Sequence, residues 1–152
     1  MCSSDLLNSI YLQAPHITKP TDILDFLVYC QSWFEMISHH HDKEEELFFP
    51  AIQKFTGDEK IMCENIEGHK AFHSGLEEFG KFTYEKTSET YDARELKRIV
   101  DGFAGVFEKH MRDEIDSLLA LEEYGEELFK AYNEMEAAII SSADKVSTRT
   151  LC

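Results

Sequence analysis

Basic residues are scarce in this chain. Its 152 residues carry 15 Lys and Arg against 30 Asp and Glu, a formal charge of −15. That balance disfavours polyanionic partners, so neither nucleic acid nor an anionic membrane surface is expected to bind. Proline (3) and glycine (7) are also few, which leaves little to interrupt helices and argues against a disordered chain. Cys2, Cys30, Cys63 and Cys152 form no CxxC pair. All four are expected to be reduced and the protein cytoplasmic. The first twenty residues have no charged start and no long apolar run, so no secretory signal is expected. No stretch approaches the length of a membrane span. HExxH is missing, which excludes a zincin-type protease. Glu-x-x-His, the signature of ferritin-type di-iron helices, is missing as well, and no Ser or Cys lies in a recognisable nucleophile motif.

What the chain does have is a three-four apolar rhythm and eleven Phe. The rhythm predicts a short helix over 5–13, ending before Pro15, and a loop to Pro20, after which Thr21 or Asp22 can cap a long second helix. Phe26, Cys30, Trp33, Ile37, Phe48 and Ala51 mark its apolar side, and Pro50 is expected to kink its last turns. Gly57 and Asp58 open a third helix to about Lys86, with Met62, Ile66, Leu76 and Phe79 inward. A polar turn at 87–91 leads to a fourth helix over about 93–121, with Leu96, Ile99, Phe103, Phe107, Leu118 and Leu121 inward. A shorter helix over about 126–140 follows Gly125. The expected fold is all-α, an antiparallel up-down four-helix bundle with a shortened first helix and an extra C-terminal helix. In domain terms, 1–140 form the bundle and 141–152, small and polar, a disordered tail.

Three stretches place a histidine four residues ahead of a second metal-capable side chain: His40/Glu44, His69/His73 and His110/Glu114. A gap of four is a little over one helical turn, so both members of a pair leave one helix face. In the third helix Ile66, His69, His73 and Leu76 form an unbroken three-four run; in the fourth, Phe103, Phe107, His110, Glu114 and Leu118 do the same. In the second helix periodicity favours His40/Glu44 only modestly over His41/Glu45, which stay as alternative or supporting ligands. Counted from the intervening turns at ~1.5 Å per residue, the three pairs can share one layer of the bundle.

A lone buried histidine is more often a hydrogen-bonded core residue than a ligand, and the run HHHDKEEE alone reads as a solvated face. His39 and His41 are read that way, as surface residues or at most as support for a ligand, and His16 as a loop residue. Three pairs in phase with their apolar stripes are a different matter. Burying an unpaired carboxylate costs several kcal/mol, and a cation relieves that cost for all ligands together. Imidazole and carboxylate without thiolate suit iron, manganese or zinc rather than a structural cysteine–zinc site.

The segments HHHDKEEELFFP (39–50), GHKAFH (68–73) and KHMRDEI (109–115) resemble the hemerythrin-like HHE cation-binding family over about residues 5–121. The likeness is greatest to its fungal-type branch, in which a segment like LNSIYLQAPH precedes the second helix. The resemblance implies a four-helix bundle around a non-haem di-iron centre, with two iron ions held by histidines and bridging carboxylates. Residue by residue it implies His40, Glu44, His69, His73, His110 and Glu114 as metal ligands, Glu44 and Glu114 being the bridges. It also implies binding of oxygen or nitric oxide, or sensing of iron or oxygen, without catalysis. One departure is plain: the family carries a further ligand histidine on its first helix, and residues 1–13 contain none. The chain is therefore expected to be shortened at its N-terminus. That leaves open a site completed by water, a site with one metal, or a homodimer covering the gap. A di-iron oxidase or peroxidase and a metal-free helical scaffold with a degenerate site remain as alternative functions.

Overall fold

The computed structural model describes residues 3–149. Among the described residues there is no strand, and no helix is long and apolar enough to cross a membrane. The helices are α1 (Ser3–Gln13), α2 (Pro20–Lys43), α3 (Phe49–Thr56), α4 (Cys63–Glu85), α5 (Ala93–Leu119) and α6 (Gly125–Arg149). A 3₁₀ turn, Ala14–His16, follows α1, and a π-helical turn, Glu44–Phe48, stands between α2 and α3. The helix bounds differ from expectation at several ends, for local reasons. Pro20 itself opens α2, where its fixed φ suits the first turn and its missing N–H costs nothing. Thr21 and Asp22 therefore lie inside the helix rather than at its cap.

The expected kink at Pro50 takes the form of the π turn. A proline ring collides with the carbonyl four residues earlier, here that of Glu46, and widening the preceding turn relieves the collision. α3 then stops at Gly57, whose φ of 73° is left-handed backbone that glycine adopts without cost. Asp58 caps the next turn through Lys60 N–H, at 2.8 Å, so α4 starts at Cys63 rather than at Asp58. Asp92 caps α5 by accepting the Arg94 N–H at 2.8 Å. At the C-terminal end α6 continues to Arg149, past the Ser141 at which the sequence suggests fraying.

Two compact units result: Met1–Ile37 with Gly68–Arg112, and Ser38–Glu67 with Asp113–Cys152. In the first, α1 and parts of α2, α4 and α5 close around one apolar cluster. Leu7 and Ile10 come from α1; Phe26, Cys30, Trp33 and Ile37 from α2; Phe72, Leu76 and Phe79 from α4; Leu96, Ile99, Phe103 and Phe107 from α5. Trp33 is its hub, with ring centroids 5.2 Å from Phe79 and 5.8 Å from Phe107, both edge to face. The second unit has its own smaller cluster, in which Phe48, Phe49, Ile52 and Met62 meet Leu121 and the α6 residues Ala131 and Met135.

Cys30 is a buried free thiol and Cys63 an exposed one. Cys2 and Cys152 lie outside the described residues.

Candidate metal centre

In the first unit the histidine donors are held by aromatic packing. α4 and α5 bury His69 (5% exposed) and His110 (3%), with ring centroids 4.5 Å apart and the rings nearly perpendicular. Phe72 walls the pair, 5.3 Å from His110 and 6.0 Å from His69, and Phe107 backs Phe72 at 5.2 Å. The approach of α4 to this imidazole depends on Gly68. A Cβ there would sit 2.6 Å from His110 Nδ1, closer than real contacts come. Gly68 opens the GHKAFH segment, so its position next to the first histidine is the signal that could have singled it out.

His73, expected as a ligand, is exposed on α4. The inward run is His69, Phe72, Leu76, Phe79, a three-four-three pattern. Phe72 and His73 compete for one inward slot, and burying a phenyl ring gains far more than burying an imidazole with two polar nitrogens. In α5 the inward run is Phe103, Phe107, His110, Glu114, as the spacing anticipates.

The second unit holds the carboxylates. Glu44, the first residue of the π turn, is 1% exposed, and Glu114 is 8% exposed. His41 is buried (6%), whereas His40 is half-buried and Glu45 exposed. Ile37, His41, Glu44 and Phe48 thus make a four-three-four run along α2 and the π turn. That run takes Glu44 from the pair that periodicity favours and His41 from the alternative pair.

His40 instead binds Glu44 from outside: its Nε2 lies 3.0 Å from Glu44 Oε1. The hydrogen bond to Glu44 pushes the His40 pKa up from its ordinary value. Burial opposes this, while the charges of Glu44, Glu114 and Glu136 add to it. His39, read as a surface residue, is half-buried and hydrogen-bonded to Ser142 Oγ at 2.6 Å. His16 is exposed in its 3₁₀ turn, as expected for a loop residue.

Neither thiol joins these donors: Cys30 belongs to the apolar cluster of the first unit, and Cys63 is exposed. The buried donors, His69 and His110 in one unit and His41, Glu44 and Glu114 in the other, are side chains that could hold a metal ion. An all-nitrogen-and-oxygen set fits iron, manganese or zinc.

Residues 4–122 match the hemerythrin HHE cation binding domain, and the chain belongs to that family. It shares the family's all-α, hemerythrin-like helical architecture. A similar curated protein is the dimeric xanthone biosynthesis cluster protein R11 of Cryptosporiopsis sp. (strain 8999). The two are 39% identical over 124 residues, which are 82% of this chain and 47% of that protein. The chain thus spans about half the length of the curated relative it matches. No solved structure matches it.

Proposed function

We propose that this chain binds non-haem iron through buried imidazole and carboxylate side chains: His69 and His110 in the first unit, and His41, Glu44 and Glu114 in the second. The observation that carries this reading is the burial of five imidazole and carboxylate side chains in a chain that belongs to a cation-binding family. Manganese or zinc would suit the same donor types, and iron is favoured by the resemblance.

Iron bound there would supply redox chemistry suited to oxygen or nitric oxide, and we propose one of these gases as the small-molecule ligand. The rest falls to the protein. His69 and His110 offer ring nitrogens from surroundings walled by Phe72 and Phe107, which keep bulk water away. Glu44 and Glu114 offset the cationic charge. His40 orients the Glu44 carboxylate and holds a proton at Nε2, next to Oε1. His73, exposed, stands outside the centre.

The test is iron content per chain after anaerobic loading with ferrous iron and desalting. Wild type should retain iron at a fixed stoichiometry. His69→Ala and Glu44→Ala should each weaken retention by at least about tenfold, the lower end of what even indirect partners of metals are worth. His73→Ala should bind as wild type does. Equal iron in all four proteins would sink the ligand assignment, and none in wild type would leave a helical scaffold.

A further inference from the structure

Residues 4–122 account for the family domain, and α6 (Gly125–Arg149) follows it. Within the second unit α6 is closely engaged with the segment that carries Glu44. Ala131 and Met135 bury against Phe48, Phe49 and Ile52. The Tyr132 ring meets the Phe48 ring edge to face, centroids 6.2 Å apart, and its hydroxyl hydrogen-bonds Glu136. Farther along α6, Ser142 donates its hydroxyl to the Ala138 carbonyl at 2.8 Å. A hydroxyl has one proton, so toward His39, at 2.6 Å, Ser142 Oγ accepts and His39 Nε2–H donates.

Those two contacts bracket residues 39–48. His39 immediately precedes His40 and His41, and Phe48 closes the π turn that begins with Glu44. A π turn is an uncommon, single-turn departure from α geometry, found mostly where surrounding structure and function retain it. Its register sets how Glu44, on the inward stripe of α2, is aimed relative to Phe48 and α3, since slipping back to α geometry would rotate the residues that follow against those that precede. Pro50 favours the wider turn from one side. α6 grips it from another.

We propose that Tyr132 and Ser142 of α6 are positioning residues for the metal centre: the Tyr132 ring holds Phe48, and Ser142 holds His39. Between these two points the histidine run and Glu44 keep their register. The inference rests on the iron reading above.

Four variants test it: Tyr132→Ala and Ser142→Ala, with Tyr132→Phe and Ser142→Thr as conservative partners. Each is checked for helicity by circular dichroism. The readouts are the rate of iron release to a chelator, the absorption spectrum of the bound iron, and amide hydrogen exchange at 44–48 in the metal-free protein. Tyr132→Ala should release iron on the order of tenfold faster, with an altered spectrum and faster exchange at 44–48. Ser142→Ala should do the same to a smaller extent. Tyr132→Phe and Ser142→Thr should restore wild-type behaviour, because they keep the ring and the hydroxyl. Iron bound by wild type and released equally slowly by all four variants, with unchanged exchange, overturns this inference alone. A wild-type chain that takes up no iron overturns the iron reading and this inference with it.

Discussion

Trp33, Phe79, Phe103 and Phe107 stack edge to face or tilted in the first unit, on helices that run straight through the cluster. The second unit gathers Phe48, Phe49, Ile52, Met62, Leu121 and Met135 around a chain that bends twice, at the π turn and at Gly57. The first presents imidazoles, His69 and His110, from regular helix. The second presents its most buried carboxylate, Glu44, from the irregular turn. Large interlocking rings fix a side chain by packing alone. A bent segment depends on the backbone features that hold the bend. The imidazole side should therefore tolerate backbone change and resist loss of volume poorly, and the carboxylate side should do the reverse.

The strongest way to break this comparison is to empty each core. Phe107 touches the rings of Trp33, Phe72 and Phe103, whereas Phe48 meets those of Phe49 and Tyr132. Phe107→Ala should lose about 5 kcal/mol of stability and Phe48→Ala about 3 kcal/mol, the two ends of the usual range. Chemical denaturation measures both, and a larger loss for Phe48→Ala would reverse the comparison.

A pair of glycines sharpens it at smaller scale. A Cβ on Gly75 would collide with Phe103 Cβ, while one on Gly57 would meet nothing but must sit at a φ of 73°. Gly75→Ala should cost about 2–3 kcal/mol through overpacking. Gly57→Ala should cost about 1 kcal/mol through left-handed strain. Thermal melts of the two variants check the order.

The thiols give the smallest effect. Burial pushes the Cys30 thiol in the first unit up to about 12, while Cys63 in the second is exposed. Native alkylation at pH 8.5, mapped by peptide mass, should label Cys63 long before Cys30. The folded state favours the neutral thiol. What Cys30 contributes to stability is therefore complete below its ordinary value of 9.0 and is lost as pH rises toward about 12. Equal labelling of both sites would contradict the packing described for the first unit.

Much of the helical layout was legible, because apolar period, Pro15, Pro20, Gly57 and the turn at 87–91 act locally. α5 was read almost residue for residue, its Phe103, Phe107, His110, Glu114 stripe being an unambiguous four-three-four run. Burial at the candidate site was legible in part: Glu44, His69, His110 and Glu114 are buried as their spacing suggests, but periodicity favoured His40 for the inward face where His41 is buried, and His73 where Phe72 takes the inward slot. Steps of 100° per residue separate such neighbours weakly, and they carry no information about a π turn that starts at Glu44. The hold of α6 on that turn was not legible at all, since His39 and Ser142 are 103 residues apart.

By itself the sequence determined that this chain is helical, where its helices break, and that histidines and glutamates sit one turn apart in phase with apolar stripes. These follow from the helical period and from turn chemistry, which act over a few residues. Only the tertiary structure decided which imidazole of a neighbouring pair is buried, that Glu44 opens a π turn, and that Gly68 lets α4 close on His110. Burial is settled by whatever packs on the other side, and that partner lies tens of residues away in the chain.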